Sequence, residues 1–154
     1  MSRILRHASV VALALTLSFC ASAQADTARD QKALTIAWTF WTTYAPIQSS
    51  AVQLICSPQT VQIQWVDYYP AGGIAAASVD GCRNGNPYIR VNKNQASSRW
   101  VKFCRVITHE YGHLIGFIHT ENTKNVMASP DGYWGEVPSA ATTTRAEQLC
   151  RRLG

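Results

Sequence analysis

The sequence has no run of basic residues interleaved with aromatic ones, which is the pattern that nucleic-acid-binding surfaces require. Outside a basic N-terminal leader, twelve Lys and Arg residues stand against nine Asp and Glu residues, so the net charge is about +3. Arg151 and Arg152 lie at the end of a predicted helix, where they complement the helix dipole. We therefore expect no nucleic-acid partner.

The sequence also lacks a long hydrophobic run. Residues 8–19 are apolar, but this stretch is too short to span a bilayer comfortably. Arg3 and Arg6 precede it and small residues at 21–25 follow it, which is the layout of a cleaved signal peptide. We expect residues 1–25 to be removed, the mature chain to be secreted or periplasmic, and no membrane partner after cleavage.

Cysteines are few in the exported part, and none of them form a CxxC pair. An even number of cysteines in a small exported domain predicts two disulfides, whereas a cysteine zinc site would need paired ligands. Three pairings are possible. The layout favours one bridge in the strand region and one between two helices, namely Cys56–Cys82 and Cys104–Cys150.

The hydrophobic pattern predicts a single α+β domain over residues 26–154, which we expect to be a monomer. A helix over 27–44 should begin at Thr27 as its cap, end before Pro46, and bury Trp38 and Trp41. Ser97 or Ser98 should cap the second helix. The remaining predicted elements are strands at 51–56, 61–65, 74–79 and 88–92 and a last helix at 143–153.

Histidine is scarce, and its placement is informative. The chain has four histidines: one lies in the leader, and the other three form an H-E-x-x-H-x-x-G-x-x-H run at His109, Glu110, His113, Gly116 and His119. Histidines four apart on a helix share a face and can bind one zinc ion, while Glu110 can take a proton from a zinc-bound water. Gly116 can end the helix and turn the chain back, which makes His119 the third ligand.

This run resembles the signature of the metzincin zinc endopeptidases. Met127, in Asn125-Val126-Met127-Ala128, matches the methionine turn of that family, and its spacing from His119 is similar to that of matrixins. The layout is also similar in size to snapalysin, a compact secreted bacterial type. The resemblance implies a small twisted mixed sheet packed on an N-terminal helix and on the zinc-binding helix, with a C-terminal helix.

The resemblance implies one catalytic zinc ion and an extended peptide or protein substrate. Residues 72–85 contain no histidine, so we expect no second zinc; calcium is possible but unsupported, because aspartates in glycine turns usually bind their own backbone. By resemblance, the strand at 88–92 would border the cleft. The predicted pocket, selecting an apolar residue after the cleaved bond, consists of Leu114, Pro130 and Tyr133.

The sequence thus predicts a secreted zinc-dependent endopeptidase with Glu110 as general base. One alternative is a peptidase or amidase for cell-wall peptides, because the same zinc site serves any amide. Another is a non-catalytic binding module stapled by zinc. Glu110 argues against the binding module, because a closed structural site needs a fourth ligand and has no use for a free base.

Overall fold

The computed structural model describes residues 11–45, 55–67, 73–95, 98–129, 135 and 137–154, with side chains from residue 27 onward. The chain divides into two compact units, residues 1–30 and 31–154. Several sequence-based predictions lie outside the described residues. They are Pro46, the first part of the strand at 51–56, the candidate cap Ser97, and the pocket candidates Pro130 and Tyr133.

The first helix, α1, spans Val11–Tyr44. It does not begin at Thr27 as predicted, because neither proline nor glycine interrupts the chain between its ends. In the second unit Trp41 is completely buried, whereas Trp38 is 38% exposed, so the prediction that both pack in the core is wrong. Trp38 directly follows the buried Ala37, which places it about 100° further round the helix, at the rim of the buried face.

Three strands form a mixed sheet: β1 (Gln62–Val66), β2 (Ala75–Ala77) and β3 (Tyr88–Asn92). Their order is β1-β3-β2, with β1 parallel and β2 antiparallel to β3. Because β3 has a partner on both sides, it cannot present the free edge that the sequence analysis placed there. Among the described strands, β1 and β2 are the edges of this sheet.

A 3₁₀ turn at Lys93–Gln95 leads into α2, which spans Trp100–Leu114. Ser98 does not cap this helix: its hydroxyl donates to the Gln95 carbonyl, and Arg99 holds the N-cap position without a side-chain hydrogen bond. One face of α2 is apolar and faces the core, as its periodicity predicts. The fully buried residues of that face include Phe103, Cys104, Ile107, Tyr111 and Leu114.

The last helix, α3 (Thr143–Leu153), begins at Thr142, whose hydroxyl accepts a hydrogen bond from the Arg145 N–H at 3.3 Å. Disulfides join Cys56 to Cys82 and Cys104 to Cys150, which are the pairs predicted from the layout. The second bridge holds α3 against α2. No helix within the described part of the chain is long and apolar enough to cross a membrane.

Candidate metal centre

Three histidine rings converge beside the C-terminal half of α2. The Nε2 atom of His119 lies 3.3 Å from Nε2 of His109 and 3.2 Å from Nε2 of His113. One nitrogen from each ring lies within 4.8 Å of the others, the spacing of a possible metal site. Helix geometry accounts for the first two rings, because residues four apart project from the same face.

Backbone carbonyls determine which nitrogens face one another. Nδ1 of His109 donates to the Val126 carbonyl at 2.8 Å, and Nδ1 of His113 donates to the Phe117 carbonyl at 2.7 Å. Because a carbonyl only accepts, the proton of each neutral ring lies on Nδ1, and the Nε2 lone pair points at His119. Such backbone hydrogen bonds are typical of metal-binding histidines, whose orientation they hold.

The donor set fits a tetrahedral ion. Two nitrogens bound to zinc at about 2.0–2.1 Å in tetrahedral geometry lie about 3.3–3.4 Å apart. The two separations from His119, 3.3 and 3.2 Å, are close to that edge length. The three nitrogens therefore lie where one tetrahedral ion could bind them.

Burial keeps the rings of His109 and His113 neutral. Desolvation lowers the pKa of His109 to about 4, opposed by its hydrogen bond to Val126 and reinforced by the charges of His113, His119 and Arg105. Desolvation also lowers the pKa of His113. A metal ligand must be unprotonated, so both rings are in the metal-binding form at neutral pH.

The chain reverses at Gly116, as predicted, and this reversal brings His119 back to the helix. Gly116 has a φ of +97°, and the Phe117 N–H donates to the Gly112 carbonyl at 2.9 Å while the Gly116 N–H donates to the His113 carbonyl at 3.1 Å. This pair of bonds is the Schellman motif, in which glycine tolerates the positive φ. A Cβ at this position would also lie 2.5 Å from the Asp80 carboxylate.

A turn at residues 125–128 supports the site from a second direction. Met127 is completely buried, and a Cβ on Gly112 would lie 2.4 Å from its sulfur, so this glycine allows close packing against α2. The buried Asn125 holds the turn: its Oδ1 accepts from the Met127 N–H at 2.9 Å, and its Nδ2 donates to the Pro138 carbonyl at 3.1 Å. The turn therefore places the Val126 carbonyl against His109.

Glu110 is buried beside the first histidine, with 6% of its surface exposed. Its Oε2 atom has no hydrogen-bond partner within the described structure. Burial raises the pKa of this carboxyl to about 8, and a hydrogen bond with the backbone of Ala77 opposes the shift. A buried carboxyl without a full set of partners is costly, and such groups are typical of functional sites.

A cavity of about 990 Å³ adjoins the three histidines and Glu110. The described β2 residues line it on one side, whereas no β3 residue does. Leu114 is completely buried in the core and does not line the cavity, which corrects its assignment to the pocket. It lies one residue after His113, and the 100° step carries its side chain to the apolar face of α2.

A comparison with protein-family models identifies the family of this chain. The model of the dual-action HEIGH metallo-peptidase family matches residues 6–137, most of the chain. The chain belongs to this family. Neither the curated proteins nor the solved structures contain a significant match.

Membership in the HEIGH metallo-peptidase family makes this protein a metallopeptidase, a broader statement than the predicted matrixin likeness. The letters of the family name match His109 to His113 except at Tyr111. Two features of the site were missed in the sequence: the bordering role of β2 and the presence of Arg105 in the cavity wall. The sequence spacing alone could have indicated Arg105, because this residue lies four positions before His109 on the same helix face.

Proposed function

We propose that this member of the family is a secreted, zinc-dependent endopeptidase in which Glu110 is the general base. The proposal is carried by the convergence of three histidine Nε2 atoms, in which that of His119 lies 3.2 Å from that of His113 and 3.3 Å from that of His109. The same cavity is lined by Glu110, a buried carboxyl with one oxygen that has no partner among the described residues. A proton acceptor next to a metal site is the arrangement that hydrolysis of an amide requires.

The number of donors supports a catalytic ion over a structural one. His109, His113 and His119 form the group, and no fourth His, Cys, Asp or Glu joins it among the described residues. The four cysteines outside the leader are all in disulfides. Structural zinc sites are closed by four protein ligands, whereas catalytic sites keep a position open for water or substrate.

When bound, zinc would polarise the peptide carbonyl and lower the pKa of a coordinated water towards about 7. Glu110 would accept the proton of the attacking water at Oε2 and pass it to the nitrogen of the leaving amine. The burial that raises its pKa makes the ionised carboxylate a stronger proton acceptor, and a bound cation would favour that ionised form. The attack forms no covalent bond to the protein.

The edge strand supplies a binding surface for an extended peptide. Hydrogen bonds from Ser78 N–H to the Tyr88 carbonyl (3.1 Å) and from Asn92 N–H to the Ile74 carbonyl (3.0 Å) show that the residues flanking β2 direct their backbone groups towards β3. Because this orientation alternates along an antiparallel pair, Ala75 and Ala77 direct theirs away from β3. The backbone of Ala77 hydrogen-bonds Glu110, so Ala75 would be the contact for substrate. Substrate would add to the sheet along β2, which replaces the predicted contact along β3.

Replacing Ala75 by proline should weaken substrate use without unfolding the sheet. Proline removes one N–H that points away from β3, so the native ladder keeps its hydrogen bonds. We expect kcat/KM to fall roughly two- to tenfold, the worth of one hydrogen bond. Steady-state kinetics and thermal unfolding measure the two effects; Ala75→Ser, which keeps the N–H, is the matched control. Unchanged kinetics in the proline variant would contradict binding along β2.

Export is part of the proposal. The predicted signal peptide at residues 1–25 would direct the chain to an oxidising compartment, and the two disulfides are compatible with such a compartment.

The experiment that tests the function is incubation of the mature, oxidised protein with a mixed peptide library. New internal cleavage products should appear, should be abolished by a chelator, and should return when zinc is added. Products that form equally well with the chelator would overturn the proposal.

A further inference from the structure

Arg105 lies in the wall of the cavity, and it is the one Lys or Arg among the described lining residues. It precedes His109 by four residues on α2, so both side chains project from the same face, about 6 Å apart along the helix axis. Its charge is close enough to help lower the pKa of His109. A permanent positive charge therefore lies about one helical turn from His109.

Among the described residues, the contacts of Arg105 leave most of its hydrogen-bonding capacity for a ligand. Its Nη1 donates to Oε1 of Glu147 at 3.0 Å, and the side chain is 41% exposed. The other oxygen of Glu147 lies 3.4 Å from Nη2 of Arg151. One carboxylate is thus shared by two guanidinium groups, and the three side chains together carry a net charge of +1. A guanidinium has five N–H donors, and the Glu147 contact uses one of them.

No other carboxylate in the described cavity wall competes for Arg105, since Glu110 is its one acidic residue. Thr123, Asn125 and Thr143 also line the cavity, and the Thr143 hydroxyl donates to the Asn125 carbonyl at 2.9 Å. Thr143 lies four residues before Glu147 on α3, so polar groups from α3 accompany the Arg105 charge.

We propose that Arg105 determines specificity by binding a carboxylate of the substrate. Along an extended peptide, residues are about 3.3 Å apart, so the carboxylate would belong to a residue within about two positions of the cleaved bond. Two sources share this chemistry: an Asp or Glu side chain, or the C-terminal carboxylate of a short peptide. The inference rests on the proposed function.

The test uses the zinc-loaded mature protein and two matched peptide pairs. The peptides of the first pair are blocked at both ends and differ at one position, which is Glu in one and Gln in the other. Each position within two residues of the cleaved bond is compared in turn. In the second pair a neutral peptide ends two residues after that bond as a free acid or as an amide. We expect one carboxylate peptide to be cleaved with a kcat/KM roughly fivefold higher than its neutral partner, as a half-exposed ion pair allows.

Three variants assign the preference to Arg105. In Arg105→Gln the preference should fall to about one, whereas Arg152→Gln removes the same charge at an exposed position outside the cavity lining and should keep it. Glu147→Gln removes the competing carboxylate and should increase the preference, so the proposal does not depend on the folding of one variant. Binding of the same peptides to metal-free protein, followed by fluorescence anisotropy, gives a second measurement that does not need turnover.

The outcomes separate this inference from the proposed function. Cleavage without any preference for a carboxylate, or a preference that survives in Arg105→Gln, would overturn the role of Arg105 alone. If no peptide is cleaved, the proposed function fails, and the binding measurement then decides the role of Arg105. A preference within the first peptide pair would identify an acidic side chain as the ligand of Arg105. A preference within the second pair would identify a C-terminal carboxylate.

Discussion

Replacing Glu110 by glutamine should lower kcat by roughly a hundredfold or more and leave the metal bound. General base catalysis contributes about 10²–10⁴ to a rate, and the carboxamide keeps the size of the carboxylate but cannot take up a proton. No described residue forms a hydrogen bond with the Oε2 atom of Glu110, so replacing this oxygen breaks no such bond. The measurement is kcat on a peptide cleaved by the wild type, together with zinc content after dialysis.

Two comparisons give this result its meaning. Glu121→Gln makes the same chemical change at an exposed position that does not line the cavity, and it should leave kcat close to that of the wild type. His113→Ala removes one of the three nitrogens and should lose both zinc and activity. If Glu110→Gln retained most of its activity with zinc bound, Glu110 would not be the general base.

The features of the site that could be predicted from sequence are local ones. The spacing of His109 and His113 on one helix face follows from the helical repeat alone. The chain reversal at Gly116 follows from its position after the helix, because glycine accepts the positive φ found there. The pairing of Cys104 with Cys150 was favoured by the order of the helices, and both residues are on buried faces.

The features that could not be predicted depend on contacts between distant segments. Strand spacing does not reveal sheet order, and the resemblance places the cleft border at β3, which in the structure pairs with both β1 and β2. The carbonyls of Val126 and Phe117, which orient two histidines, belong to backbone that no side-chain pattern reports. Leu114 is a different case: its position on the core face of α2 follows from the helical repeat.

Removing the Cys104–Cys150 bridge should lower the free energy of unfolding by about 2–5 kcal/mol, a large share of the roughly 5–15 kcal/mol typical of a small domain. The bridge closes a segment of 46 residues that contains the three histidines and the turn at 125–128, so its loss enlarges the unfolded ensemble. Both cysteines are completely buried, and the double Cys→Ala variant therefore avoids leaving a polar group in the core. Urea unfolding of the oxidised protein measures the change.

The same variant should also lose metal affinity, because α3 supports the site through side chains that the bridge holds in place. Thr143 donates to the Asn125 carbonyl and Glu147 pairs with Arg105, so a displaced α3 loosens the turn that carries Val126. The double variant that removes the Cys56–Cys82 bridge is the matched comparison. That bridge closes a shorter segment of 26 residues outside α3, so its loss should cost stability with a smaller effect on zinc. Thiol titration of the exported, unreduced protein in denaturant should find no free cysteine. Equal loss of zinc in both variants would show that the Cys104–Cys150 bridge does not support the metal site, and two or more free thiols would show that the two bridges do not both form.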